Sequence, residues 1–486
     1  MVNQANIIDI PENNLKWCSV SLSEVMGTNN RLGASVFKIE AKNAREQLLN
    51  SKYNKSLKPL SGVASFAQEV FYPNRFKRIY IDKSKDSIEF FLPSQLNEIY
   101  PKASKYISGL TNTNFEQLKP KYNTILMTRS GTIGNCTYVS KTLEGKIFSD
   151  DVIRIQMRDD TDSGYIYAFL KTDIGQLLIT TNNYGSVVSH IEPKHLESIL
   201  IPNPPEKLKK EIHDLVVKSY TLRDESNDLI DEAEKLLIEE LKLPPIEDFK
   251  PKYFDTESEI RNYGVSLSSL NNRFDGSYHV PLVDCICDHL RTNSADIKLL
   301  GDAMLSNRII LAGVFKRTYV EKNEGVPFLG GKDIMQLSPN VEKFLSKKVH
   351  DKLIKKSLEV KENMILITDR GTIGKVMIVP KHFEGWAVSQ NVIKLECSSN
   401  EIAGYIYAFL NSKYGEILLQ RETYGSVVNM IDDKNIARIP IPLLKNQKIQ
   451  KQINNLVLEA NQKRYEAYIL EQQAIKMVND KVIYNS

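Results

Sequence analysis

From Glu206 to Leu243, apolar and small residues recur in steps of three and four: Leu208, Ile212, Leu215, Ser219, Leu222, Ser226, Leu229, Ala233 and Leu236. A mean step of 3.5 residues keeps a narrow stripe on one face of a helix, which is the seam of a coiled coil. A second stripe follows Lys445 through Ile449, Ile453, Leu456, Ala460, Lys463, Ala467, Leu470, Ala474 and Met477. The larger side chains Ile212, Leu215, Leu222, Leu229 and Leu236 predict the partner seam of the first helix, and Ile453, Leu456 and Leu470 that of the second. A helix laid on its own globular domain would need a wider apolar face. Elsewhere the period changes. Ile125–Thr128 and Val152–Met157 predict strands around the turn-forming Gly131-Thr132-Ile133-Gly134, and Tyr165 to Ile179 predicts a helix packed on that sheet.

The strand, turn and helix pattern occurs twice. Residues 123–202 align without gaps to 363–442, at an offset of 240, with 34 of 80 positions identical. The shared blocks are Gly-Thr-Ile-Gly at 131 and 371, Gly-Tyr-Ile-Tyr-Ala-Phe-Leu at 164 and 404, Tyr-Gly-Ser-Val-Val at 184 and 424, and a closing Ile-Pro at 201 and 441. Upstream the copies diverge, leaving islands such as Asn30-Arg31-Leu32 with Asn272-Arg273-Phe274 and Phe76-Lys77-Arg78 with Phe315-Lys316-Arg317. A fixed scaffold carrying a changed surface suits a binder with two targets.

Each copy is followed by one long helix, and the first helical region is acidic overall while the second is basic, so the two should attract. An antiparallel pair of some 30–35 residues makes a strut of about 45–55 Å, which would hold two domains at least a turn of B-DNA apart. The resulting fold class is α+β, with two homologous mixed α/β domains separated by two long antiparallel coiled-coil helices in a pseudo-two-fold arrangement. The boundaries read as 1–205 for the first domain, 206–243 for the central helix, 244–444 for the second domain and 445–486 for the C-terminal helix.

A net charge of +4 over 486 residues does not identify a nucleic-acid binder, so charge must be read locally. With the acidic helix set aside, each domain is net positive. The candidate basic patches carry Arg75, Lys77 and Arg78 in the first domain and Arg308, Lys316 and Arg317 in the second, with Tyr80 and Tyr319 beside them. Such groups hold phosphates, although a solvated surface accounts equally well for any single one. The turns add Arg129, Ser130 and Thr132 in one copy and Arg370 and Thr372 in the other, with Arg129-Ser130 against Asp369-Arg370 as different side chains on a shared glycine frame. Tyr184 with Ser186 and Tyr424 with Ser426 lie in identical segments, which suits framework or phosphate contacts better than base reading.

Catalytic chemistry is not visible in the sequence. Asn203-Pro204-Pro205-Glu206 has the opening of an amino-methyltransferase motif, but Glu206 stands where an aromatic would stack on a flipped base, and no glycine-rich cofactor loop precedes it. Gly330-Gly331-Lys332-Asp333 lacks the spacing and hydroxyl of a phosphate-binding loop. His279, Cys285, Cys287 and His289 match no zinc spacing and read as buried thiols on a helix, and five cysteines form no disulfide framework. No catalytic residue and no metal ligand is assigned. A polar start from Met1 to Asn14 and the lack of any apolar run near 18 residues predict a cytoplasmic protein without a membrane segment.

The ordered set resembles the specificity subunits of type I restriction-modification systems: an Asn-Arg-(Leu/Phe) segment in each half, the Gly-Thr-Ile-Gly turn, the Tyr-Gly-Ser-Val-Val segment, the Ile-Pro exit and a heptad helix after each copy. That resemblance implies two target-recognition domains reading a bipartite, asymmetric site on double-stranded DNA. It also implies helices that recruit two methyltransferase subunits, with restriction subunits joining them. S-adenosylmethionine, ATP and Mg would then belong to the partner subunits, and this chain would hold no cofactor. A coiled-coil adaptor that never touches DNA would explain the helices and the duplication, but not the divergence upstream of a preserved core. An adenine methyltransferase is the remaining alternative.

Overall fold

The computed structural model describes residues 20–27, 39–84, 86–181, 190–197, 199–252, 263–270, 273–425 and 428–484. The chain forms two compact units, one of Met1–Leu96, Lys102–Val217 and Glu471–Ser486, the other of Asn97–Pro101 and Lys218–Leu470. The division falls within both long helices.

In the first unit, a four-stranded antiparallel sheet has the order Ala67–Phe71, Val152–Met157, Ile125–Thr128, Cys136–Tyr138. The predicted strands Ile125–Thr128 and Val152–Met157 are its two central members, and all but one of their residues are buried. A three-stranded sheet sits beside it, in which Ser87–Phe91 pairs antiparallel with Lys105–Ser108 and parallel with Ile147–Phe148. The second unit repeats the plan: Ser306–Ile310, Val392–Cys397, Ile365–Thr368 and Val376–Ile378 in one sheet, and Tyr319–Val320, Phe344–Ser346, Gly325–Leu329 and Ala387–Val388 in the other. Register survives the duplication, since Ile125 faces Ile155 and Tyr138 while Ile365 faces Leu395 and Ile378.

The Tyr165-to-Ile179 block is two helices, Asp160–Lys171 and Asp173–Thr181, where one was predicted. Thr172 makes the break, because its hydroxyl donates to Phe169 O (2.6 Å) and accepts from Gly175 N (3.0 Å), closing one helix and capping the next. Ser412 does the same between Asn400–Asn411 and Lys413–Arg421.

The shared Gly-Tyr block docks each module onto the long helix that follows it. A Cβ on Gly164 would lie 2.7 Å from His213 Cα, and one on Gly404 2.4 Å from Asn454 O, so only glycine fits the crossing. The Gly164 and Gly404 amides donate to His213 Nδ1 (3.2 Å) and Asn454 Oδ1 (2.9 Å). Tyr165 and Tyr405, both buried, donate their hydroxyls to the carbonyls of Pro202 and Pro442 at the Ile-Pro exits.

The long helices are Glu206–Glu240 and Gln447–Val478. Within the second unit they run antiparallel: Ser219 Oγ donates to Ala467 O (2.7 Å), Arg464 Nε to Ser226 Oγ (3.3 Å), and Lys463 pairs with Glu225 (2.8 Å). The buried line on the first helix is Ile212, Val216, Ser219, Ser226, Ile230, Ala233 and Leu237, and on the second Ile453, Val457, Ala460, Arg464, Ala467, Glu471, Ala474 and Val478. Every second predicted position lies on that line. The others are half-buried: Leu215, Leu229, Leu236, Leu456 and Leu470 stand one residue before the line, and Leu222 precedes the half-buried Arg223. Leu229, Leu236 and Leu456 pack along the side of the core. The reason is size, because a side chain on one helix can bond a carbonyl on the other only where serine and alanine let the backbones approach.

Candidate nucleic-acid interface

In each module the parallel strand delivers a short loop that joins the basic segment to the Gly-Thr-Ile-Gly turn. After Ile147–Phe148, Ser149 N donates to Phe91 O (2.9 Å), and Asp150 and Asp151 follow. Asp150 accepts from Arg78 Nη2, while Asp151 accepts from Arg129 Nη1 (3.0 Å) and from the Ser130 hydroxyl. Two consecutive carboxylates thus bring together Arg78, Arg129 and Ser130. The second module uses Ser389, Gln390 and Asn391 in the same places: Arg317 Nη2 donates to Gln390 Oε1 (2.7 Å) and Asp369 N to Asn391 O (3.3 Å).

Around this junction the basic segments have one pattern. Arg75, Lys77 and Lys316 are exposed. Arg78 lies over the Phe90 and Phe76 rings (5.5 and 5.6 Å) and Arg317 over Phe328 (5.5 Å). Burial alone would lower the pKa of the Arg78 guanidinium, but the Asp150 carboxylate outweighs it and raises the pKa. Exposed Tyr80 and Tyr319 each carry an ammonium over the ring, from Lys105 and Lys343 at 5.9 Å. Those two lysines are absent from the predicted set. Only strand pairing brings them near the tyrosines, and spacing along the chain carries no sign of it. Arg308 is also exposed and donates to Lys356 O (3.0 Å).

The two turns share a backbone and differ in how their charge points. Thr128 and Thr368 hydroxyls donate to the carbonyls of Thr132 and Thr372, and Gly131, Gly134, Gly371 and Gly374 all have positive φ. Arg129 turns inward, its side chain 7% exposed, bonded to Asp151 and to Glu192 (2.7 Å) and stacked over Tyr72 at 4.6 Å. Burial would lower its pKa, but the bonds to Glu192 and Asp151 raise it. At the equivalent position the second module has Asp369, whose carboxyl is raised by burial and only partly offset by Arg370 (3.0 Å). Arg370 itself faces solvent, as do Thr132 and Thr372. Tyr424 is exposed, pairs its backbone with Met430 and donates its hydroxyl to Asp432 (3.3 Å). Tyr184, Ser186, Ser426 and the Asn30-Arg31-Leu32 segment lie outside the described residues.

Other sequence candidates take structural places. Cys285 and Cys287 are buried on the helix Pro281–Asn293, and His279 and His289 bond the carbonyls of Arg273 (2.8 Å) and Leu241 (3.0 Å). Among the described residues no three His, Cys, Asp or Glu side chains group so as to hold a metal ion. The Asn203-to-Glu206 motif forms the start of the first long helix, with Pro205 O accepting from Leu208 N and Lys209 N. No helix among the described residues is long and apolar enough to cross a membrane.

Each of the two mixed α/β modules thus exposes arginine or lysine side chains and a tyrosine beside a Gly-Thr-Ile-Gly turn. The family model for the type I restriction modification DNA specificity domain matches residues 61–234 and 313–467, once over each module, and the chain belongs to that family. Solved structures similar to it include the S subunit of a type I restriction-modification system from M. genitalium, 14% identical over 87% of this chain and 98% of that one, with a TM-score of 0.29. The HsdS subunit from Thermoanaerobacter tengcongensis is 16% identical over 86% of this chain and 98% of that one, with a TM-score of 0.24. No curated protein matches the chain.

Proposed function

We propose that the chain is the DNA-reading specificity subunit of a type I restriction-modification complex, with residues 1–205 and 244–444 as recognition domains and 206–243 and 445–486 as the helices that recruit partners. Each domain reads one part of a bipartite, asymmetric site. The helices bind two methyltransferase subunits, on which restriction subunits assemble in the cytoplasm. The chain itself is not an enzyme, and S-adenosylmethionine, ATP and Mg act on its partners.

The observation that carries this reading is the repeated junction, in which the 149–151 and 389–391 loops tie a basic, aromatic segment to a turn of different charge in each copy. Arg75, Lys77, Lys316 and Arg308 supply phosphate contacts. Ser130 and Arg370, which differ between the copies, stand on a fixed backbone as the variable contacts, and Thr132 and Thr372 as shared ones. Arg129, bonded on two sides, serves as framework. A band shift of the purified chain, alone and with its methyltransferase partner, on random duplex tests the proposal. A retarded species that weakens with salt supports it. No retarded species in either preparation leaves the coiled-coil adaptor.

A further inference from the structure

The second module carries an element that is longer and more basic than its counterpart in the first. Between the strands Phe344–Ser346 and Ile365–Thr368 runs the helix Lys347–Leu353, continued by the turn Ile354–Leu358. At the same place in the first module is the four-residue helix Phe115–Leu118, where Glu116 pairs with Lys119.

Residues 347–358 contain five lysines and one acidic residue. One side of the segment is fixed: Ile354 and Leu358 pack with Ala312, Val326, Phe328 and Leu345, and His350 accepts from Thr318 N (3.1 Å) and meets the Phe315 ring edge-on at 5.5 Å. The other side presents Lys347, Lys348, Lys352, Lys355 and Lys356 to solvent, and only Lys355 has an ion pair on the segment, with Asp351 (3.0 Å). Lys348 and Lys352 stand at i, i+4 on the α-helix, a spacing at which like charges destabilise a helix, and Lys355 and Lys356 follow on the π-helical turn. A purely solvated face would intersperse both signs. Arg308, one of the predicted contacts, bonds the Lys356 carbonyl and so lies against the lysine segment.

We infer that this segment is a phosphate-backbone clamp belonging to the second module alone, so that the two modules grip the duplex with unequal electrostatic strength. The inference rests on the DNA-reading proposal above. The occupant is the duplex backbone, because five exposed cations and one carboxylate follow one another along an element anchored on its other side, and phosphates need only charge and reach.

The test measures binding of the full chain to a random-sequence duplex by fluorescence anisotropy over about 50 to 200 mM salt. Changing Lys347, Lys348, Lys352 and Lys356 to Gln should make the slope of log K against log salt shallower by about 2–3 and weaken binding at least about tenfold at low salt. Changing the same four to Arg keeps the charge and should keep the slope. Lys52, Lys55, Lys121 and Lys413 to Gln removes equal charge elsewhere and should leave binding near wild type. A Gln clamp variant with unchanged affinity and slope, or equal losses in both Gln variants, overturns the clamp while leaving DNA reading intact. A wild-type chain that binds no duplex overturns both.

Discussion

Arg129 and Asp369 occupy the same turn and show how far a side chain's role depends on partners remote in sequence. Arg129 is held by carboxylates 22 and 63 residues away. A basic residue on a variable turn is legible in the sequence, but its inward direction is not, because no local spacing encodes Glu192. Replacing Arg129 by Met leaves Asp151 and Glu192 without their shared cation in a half-buried site and should cost about 2 kcal/mol of stability in the first module, read as a lower Tm. An unchanged Tm would mean that the two ion pairs contribute nothing. At a second pair of equivalent positions, Arg154 and Lys394, both side chains are fully buried. Arg154 donates to the carbonyls of Leu118, Phe148, Ser149 and Val152, whereas Lys394 has only Val392 O at 3.0 Å, with Asp369 as its one favourable charge. Burial pulls the Lys394 ammonium down to about 8 from 10.5. Between those values the unfolded chain holds a proton that the folded chain has lost, so the Lys394 contribution to stability rises with pH across that window. The raised Asp369 carboxyl acts oppositely and at acid pH, where stability falls as pH climbs from its ordinary value of 3.8. Lys394→Met should abolish the alkaline rise in Tm relative to wild type, and a variant that retains the rise would assign it to another group.

At the level of elements, period was easier to read than phase. The heptad spacing of both helices stands in the sequence, and both helices form. Choosing leucines as the seam moved half of the line by one residue, because Val216, Ile230, Leu237 and Val457 stand directly after Leu215, Leu229, Leu236 and Leu456, and because the line also takes in Arg464 and Glu471, which no hydropathy criterion selects. Their places become clear from bonds across the structure: Ser219 to Ala467 O, Arg464 to Ser226, and the Tyr167 hydroxyl to Glu471. The close approach at Ala467 gives a direct test. Ala467→Leu should destabilise the helix pair by about 1–3 kcal/mol through overpacking, more than Leu222→Ala on the half-buried flank. The readout is the midpoint of chemical denaturation, and a larger loss at Leu222 would restore the leucines as the seam. The split of the Tyr165 block into two helices was likewise hidden, since a hydroxyl cap at Thr172 looks like any threonine until Gly175 closes on it.

For the molecule as a whole, the duplication was fully legible, because 34 of 80 identities at one offset survive with strand register intact. The basic surfaces were legible only in part. The tyrosine-capping Lys105 and Lys343 depend on strand pairing, and the lysine segment at 347–358 has only a shorter, less basic counterpart in the other copy to draw attention to it. If each module reads its own half of a split site, exchanging residues 1–205 with 244–444 in the assembled complex should change the order of the halves and nothing else. Sequencing of modified adenines in cells carrying the exchanged chain measures this directly. The two half-sites should appear in inverted order with the gap between them unchanged. A changed gap, or a modification pattern identical to that of the native chain, would contradict it.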